Sequence, residues 1–273
     1  MDKLEKALER ARLERQNALA GSGGPAEVAR QAVQEGPPNA PDDSAVRSRI
    51  VVIDERALTE NRLIGGSRSD PNAEAFRVLS TKVLRILQKN NLRTLAITSP
   101  RYGDGKTTVA VNLAFSLALD VNQTVCLVDL DFRRPKIDEY LGIHVNSGLD
   151  GYLLNDVPLS DCLVRPSIER LVILPIANAV EHSSETIGLP KMAALALELK
   201  TRYPDRIVIY DMPPLIEQAD TITFLKHVDG VLLVVREGVT HREDVREALH
   251  LLADSAVIGT ILNGAAEHGY NRE

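Results

Sequence analysis

Six short apolar runs recur along this chain, at Thr94–Thr98, Thr124–Val128, Leu171–Pro175, Arg206–Tyr210, Gly230–Val235 and Val257–Leu262. In each, successive residues are apolar on both alternating faces, the pattern of a strand buried on both sides. Between them, Lys106–Leu119, Pro190–Arg202 and Arg242–Ala253 repeat their apolar residues at helical spacing, the last behind a Thr240-x-x-Glu243 capping box. Ahead of the first strand, Ala73–Leu87 places Phe76, Leu79, Val83, Ile86 and Leu87 on one helical face, and Ile50–Ile53 reads as a short strand or extended arm. Strands that alternate with helices need crossover connections. The expected fold is therefore α/β, with a mainly parallel central sheet flanked by helices on both faces.

The remaining segments look different. Residues 1–20 carry Leu4, Leu8, Ala11 and Leu13 among Glu, Lys and Arg, an amphipathic helix that is either a solvated terminus or a docking helix. Residues 21–48 are rich in Gly and Pro and read as flexible linker. These boundaries leave one domain over 49–267 and a short flexible tail over 268–273. The chain is 44% hydrophobic, enough for a sizeable core. Its net charge of -6 argues against nucleic acid as a bulk partner. Two cysteines without a C-x-x-C and six scattered histidines give no zinc pattern, and Cys126 and Cys162 read as reduced packing residues. No run approaches the roughly 20 apolar residues of a spanning helix, and the charged start is not a signal peptide. The expected location is cytoplasmic, with any membrane association made through a partner or an amphipathic surface.

The candidate chemistry begins at Ser99-Pro-Arg-Tyr-Gly-Asp-Gly-Lys-Thr-Thr108, between the first apolar strand and a helix. Gly103 and Gly105 would let backbone N–H groups turn around phosphate oxygens, Lys106 would reach the β- and γ-phosphates, and Thr107 would ligate Mg²⁺. Pro100 stands where the usual phosphate loop has its first Gly. Two other strands end in carboxylates, Val125–Val128 before Asp129-Leu-Asp131-Phe-Arg133-Arg134 and Ile207–Tyr210 before Asp211-Met-Pro-Pro214. One such Asp is ordinarily a cap; three beside one phosphate loop point to phosphoryl transfer. On that chemistry Thr107 and Asp211 would position Mg²⁺, and one of Asp129 or Asp131 would take the acceptor proton. Arg133 and Arg134 are either phosphate or subunit contacts, or surface arginines.

With these motifs in hand, residues 70–265 resemble the bacterial tyrosine kinases of capsular and exopolysaccharide synthesis. That family's modified Walker A, S-P-x-P-G-E-G-K-[ST], is matched by Ser99–Thr107, its Walker A′ by Val125–Arg133, its Walker B by Ile207–Pro214, and its E-A-F-R-x-L-R segment by Glu74–Ser80. The opening Met-Asp-Lys-Leu-Glu-Lys-Ala-Leu-Glu and the Ile53-Asp arm resemble the subgroup attached to exosortase-type clusters.

The resemblance implies a P-loop NTPase fold, ATP and Mg²⁺ as cofactors, and autophosphorylation that regulates polysaccharide polymerisation or export. It implies Lys106, Asp129, Asp131 and Asp211 as catalytic residues, with Thr107, Asp129 and Asp211 at the metal. Nucleotide contacts would come from Gly103, Asp104, Gly105, Lys106, Thr107, Thr108, Arg133 and Asn263, the last at adenine. Expected partners are the cytoplasmic segment of a membrane polysaccharide co-polymerase, which would hold the protein at the inner membrane, and further copies of the chain.

Three departures stand out. Tyr102 replaces the loop proline, Ser80 replaces the last arginine of a ring-forming E-x-x-R-x-x-R, and the tail offers Tyr270 alone where the family has a tyrosine cluster. Two alternatives accompany this reading: a Min- or Par-type ATPase switch, in which Arg101 stands at the place of the signature Lys, and a nucleotide-binding regulatory module that has lost kinase activity.

Overall fold

The structure, a computed structural model, describes residues 49–67 and 70–265. The helix expected over 1–20, the linker over 21–48 and the tail over 268–273, Tyr270 included, lie outside the described residues.

Strands β1 (Arg49–Val51), β2 (Thr94–Thr98), β3 (Thr124–Asp129), β4 (Val164–Pro166), β5 (Leu171–Leu174), β6 (Arg206–Asp211), β7 (Gly230–Arg236) and β8 (Val257–Asn263) form an eight-stranded sheet ordered β1-β4-β5-β3-β6-β2-β7-β8. All neighbours pair in parallel except β4 with β5, so β1 and β4 run against the rest. The helices are α1 (Glu55–Glu60), α2 (Ala73–Lys89), α3 (Lys106–Ala118), α4 (Ile137–Leu141), α5 (Leu149–Leu154), α6 (Leu159–Cys162), α7 (Ser183–Ile187), α8 (Pro190–Thr201), α9 (Asp220–Phe224) and α10 (Arg242–Leu251).

The period of two along each central strand sorts its side chains into two cores. Leu95 and Ile97 of β2, Val125 and Leu127 of β3, and Ile207 and Ile209 of β6 join one cluster with Val83 and Leu87 of α2 and Leu113 and Leu117 of α3. Ala96, Cys126, Val128, Val208 and Tyr210 point the other way, into a cluster with Leu195 and Leu199 of α8 and Phe224. Both faces of these strands are therefore covered, which is why they read as continuous apolar runs. Both cysteines are buried and free. Helix α3 is buried nearly all round, as its sequence Val109-Ala-Val-Asn-Leu-Ala-Phe-Ser-Leu-Ala118 demands.

Two expectations need correction. The β8 run was expected to be a buried strand, but it lies at the sheet edge and exposes Val257 and Leu262. The capping box does not form: His241 is the cap residue of α10, and Thr240 instead donates to Asp104 Oδ1 at 2.7 Å and accepts from Arg236 N at 2.7 Å. Ser80, which stands in place of the ring motif's last arginine, is turned inward. It is buried against α3, where Ser116 Oγ donates to Ser80 Oγ at 2.9 Å, while Glu74 and Arg77 pair on the surface at 2.6 Å as their spacing suggests.

Candidate active site

The carboxyl ends of β2, β6 and β3 lie side by side, because the parallel ladders set Ile97 and Asp129 each opposite Asp211. From β2 the chain turns into α3 through a loop with Gly103 at φ 90° and Gly105 at φ 93°, a left-handed backbone that residues with a Cβ resist. A Cβ on Gly105 would sit 2.0 Å from Asn263 Nδ2, whereas one on Gly103 would meet open space. Side chains from the β7–β8 side grip the loop from behind. Arg236 Nη1 donates to Gly103 O at 2.9 Å, Asn263 Nδ2 donates to Asp104 O at 2.8 Å, and Asp104 Oδ2 accepts from Arg101 N at 3.1 Å. Holding these groups outside is the arrangement that lets successive loop N–H groups turn to an anion.

At the loop's end the charged groups converge. Lys106 Nζ lies 2.9 Å from Asp131 Oδ2 and 3.9 Å from Asp211 Oδ1, and Thr107 Oγ1 donates to Asp211 Oδ2 at 2.6 Å. All four side chains are buried. Burial works to lower the Lys106 pKa, but Asp211 and Asp131 outweigh it and raise it, so the amine is a cation. Burial raises Asp211 against the pull of Lys106 and Thr107, and it raises Asp129 with Asp211 adding to the shift. One cation facing three buried carboxylates leaves the cluster short of positive charge.

Asp129 stands apart from the rest. Its Oδ1 accepts Asp131 N at 3.0 Å, and its Oδ2 accepts Lys136 N at 3.1 Å and Ile137 N at 3.3 Å. It shapes the turn that presents Asp131. Arg133 is likewise turned away, its Nε donating to Ser183 Oγ at 2.8 Å, while its neighbour Arg134 lines the cavity.

That cavity measures about 490 Å³ and opens over the loop, with Gly103, Gly105, Lys106, Thr107, Thr108, Asp131 and Asn263 in its walls. The volume is within the range of small-molecule sites. Arg62, Lys136 and Arg236 also line it, none of which the sequence pattern marked. Arg62 reaches it on a loop clamped by Asn112 of α3: Asn112 Oδ1 accepts Ile64 N and Gly65 N, each at 2.7 Å, and Nδ2 donates to Arg62 O at 3.0 Å and Thr108 O at 2.8 Å. A lone Asn inside an otherwise apolar helix was the available signal. Tyr102, which the sequence marked only as a change in the loop, also lines the cavity. Burial and Asp131 push its phenol up to about 12, and its Oη donates to Asp131 Oδ1 at 3.2 Å.

These residues fit a nucleoside triphosphate with a divalent cation. The open space at Gly103 is where a phosphate would rest against the loop, and Asp211 Oδ1 is buried without a hydrogen-bond partner. Among the described residues no three His, Cys, Asp or Glu side chains gather into a metal site of their own. Thr107 Oγ1 and the unpartnered Asp211 Oδ1 are hard oxygens of the kind that would hold Mg²⁺ together with phosphates and water.

Fold and loop together define a P-loop nucleoside triphosphatase. No protein-family model matches the chain. The tyrosine-protein kinase YwqD of Bacillus subtilis is 29% identical over 206 residues, which cover 73% of this chain and 86% of YwqD. The VpsO kinase domain superposes with a TM-score of 0.64 at 28% identity, covering 77% of this chain and 97% of that domain. The septum site-determining protein MinD of Pyrococcus horikoshii, solved with Mg-ADP, superposes less closely, with a TM-score of 0.53 at 28% identity over 64% of this chain and 72% of MinD. Within the P-loop class the chain is similar to the bacterial tyrosine kinases.

Proposed function

We propose that this protein is an ATP- and Mg²⁺-dependent protein-tyrosine autokinase that regulates exopolysaccharide or capsule polymerisation or export. The observation that carries the reading is the buried set Lys106, Thr107, Asp131 and Asp211, joined by contacts of 2.6–3.9 Å, with Lys106, Thr107 and Asp131 lining the phosphate-loop cavity. The loop, Lys106, Thr108 and Arg236 bind the phosphates, and Asn263 lies on the adenine side. Thr107 and Asp211 hold Mg²⁺, which neutralises phosphate charge when bound, and Asp129 keeps Asp131 in place. Asp131 accepts the proton of the incoming phenol as its oxygen bonds to the terminal phosphorus; the bond from that phosphorus to the bridging oxygen breaks and ADP leaves. Tyr270, in the tail, is the phosphoacceptor. The kinase domain spans 49–267.

The relatives' kinase names support the reaction class, and ExoP of Rhizobium meliloti, named a succinoglycan biosynthesis transport protein and 29% identical over 26% of its own length, supports the polysaccharide setting. We place the protein at the inner face of the membrane through the cytoplasmic segment of a polysaccharide co-polymerase, consistent with described helices none of which is long and apolar enough to cross a membrane. The Min- or Par-type alternative loses support from Arg101, whose guanidinium is engaged by Asp244 at 3.0 Å and stands 3.8 Å from Glu217 within the same chain.

The test is incubation of the purified protein with Mg²⁺ and ATP labelled at its terminal phosphate, followed by phosphoamino-acid analysis. Label on phosphotyrosine in the wild type and none in Lys106→Met is expected. Label released wholly as inorganic phosphate, even with the partner segment added, would support the ATPase-switch alternative instead.

A further inference from the structure

Tyr102 stands where a proline would serve the loop's turn, yet its side chain makes contacts that a turn does not require. Its Oη donates to Asp131 Oδ1 at 3.2 Å and accepts from Gln218 Nε2, so the hydroxyl is engaged in both of its roles. The Arg134 guanidinium lies 4.3 Å from the ring centroid and Lys106 Nζ 5.7 Å from it, so the ring has two cations within cation–π range. Asp131 Oδ2 is taken by Lys106. The other oxygen, Oδ1, accepts Arg134 N at 3.2 Å and is the one left for an acceptor's proton. Tyr102 places a tyrosine hydroxyl on that oxygen.

We propose that Tyr102 occupies the acceptor-hydroxyl position of this site, so that a substrate tyrosine enters by exchanging one phenol for another while water is kept from Asp131. The inference rests on the phosphotransfer reading and deepens it. A substrate phenol can replace the contacts Tyr102 makes: the hydrogen bond to Asp131, the one from Gln218 and the ring offered to Arg134 and Lys106. Water can replace the two hydrogen bonds and has no ring to set against the guanidinium. The site thereby suppresses the competing reaction, in which a water oxygen bonds to the terminal phosphorus, Asp131 takes the water's proton, and ADP and inorganic phosphate leave. Gln218 is buried at the rear of the same hydroxyl and holds it in place.

Two variants separate hydroxyl from ring. Tyr102→Phe removes only the oxygen; Tyr102→Ala also opens the Arg134 face. With the full chain, three quantities are measured for each: binding of a non-hydrolysable ATP analogue with Mg²⁺, ATP hydrolysis without an acceptor, and calorimetric binding of a short tyrosine peptide to the analogue-loaded protein. Tyr102→Phe is expected to hydrolyse ATP about tenfold faster and to bind the peptide about tenfold tighter, the worth of one hydrogen bond to a charged group. Tyr102→Ala is expected to hydrolyse faster still. Variants that bind the analogue yet neither hydrolyse faster nor take the peptide tighter would overturn the inference and leave the kinase reading standing. A wild type that fails to bind the analogue would remove the kinase reading and the inference with it.

Discussion

Replacing Asn112 by alanine would strip the clamp that brings Arg62 to the cavity. Asn112 is wholly buried, and its amide makes four bonds, two from Ile64 N and Gly65 N and two to Arg62 O and Thr108 O. The Gly65 N–H lies in buried surroundings and would lose its partner there, at a cost of about 1–3 kcal/mol. The other three groups are partly buried and can recruit water, which holds their loss to about 0.5 kcal/mol each. The sum is about 2.5–4.5 kcal/mol. For a domain of this size that corresponds to a fall in Tm of roughly 10 °C. Urea unfolding at pH 7 reads the loss directly, and calorimetry with an ATP analogue reads its consequence, since Arg62 sits at φ 56° on the loop that the clamp restrains. Affinity is expected to fall about tenfold if one charged contact to the nucleotide is lost. A variant within about 1 kcal/mol of wild type, by the standard of ordinary surface changes, would refute the view that this amide organises the wall.

Three further outcomes follow from the same geometry. Gly105→Ala and Gly103→Ala both impose a left-handed backbone on a residue with a Cβ, but only the first also displaces Asn263 from Asp104 O; urea unfolding should show it the more costly by about 1 kcal/mol, and equal losses would contradict the contact. Lys106→Met leaves Asp131 and Asp211 buried without their cation; stability should fall by about 3 kcal/mol and analogue binding should vanish, whereas unchanged unfolding would contradict the charge cluster. Asp229 sits far from the site. Burial alone would raise its pKa, but Lys200 and the N–H groups of Arg93 and Thr94 outweigh it and hold the carboxyl below its ordinary value. A depressed carboxylate stabilises the fold above its unfolded pKa of about 3.9 and loses that contribution as pH falls through the folded value. The stability gap between wild type and Asp229→Asn should therefore be widest near pH 7 and close below about pH 4; a gap that stays constant would remove the linkage.

The central strands were legible because parallel pairing with helices on both sides forces apolar residues onto both faces, and every such run proved to be a strand. The edge strand β8 carried the same composition without the cover, a difference that lies in what fails to pack on it. Elements such as β4 and α4 to α7 span three to six residues, too few to show a period, and are held by tertiary contacts. At the site, Lys106, Thr107, Asp131 and Asp211 were legible because loop and strand ends are contiguous in sequence, and the ladders then bring those ends together. Arg133 and Arg134 show the limit. Adjacent residues leave a turn in opposite directions, and only the packing against Ser183 and Tyr102 decides which one meets the cavity. Arg62, Lys136, Arg236 and Asn112 come from four separate segments, so no single motif could announce them.

The most direct measurement is mass-spectrometric mapping of phosphotyrosine after incubation with ATP and Mg²⁺, in wild type, Asp131→Asn and Tyr270→Phe, with and without the co-polymerase segment. The account predicts phosphotyrosine in the wild type at Tyr270, its loss in Tyr270→Phe, and a rate lower by about a hundredfold or more in Asp131→Asn, the usual worth of a positioned general base. An unmodified wild type, or transfer undiminished in Asp131→Asn, would contradict it.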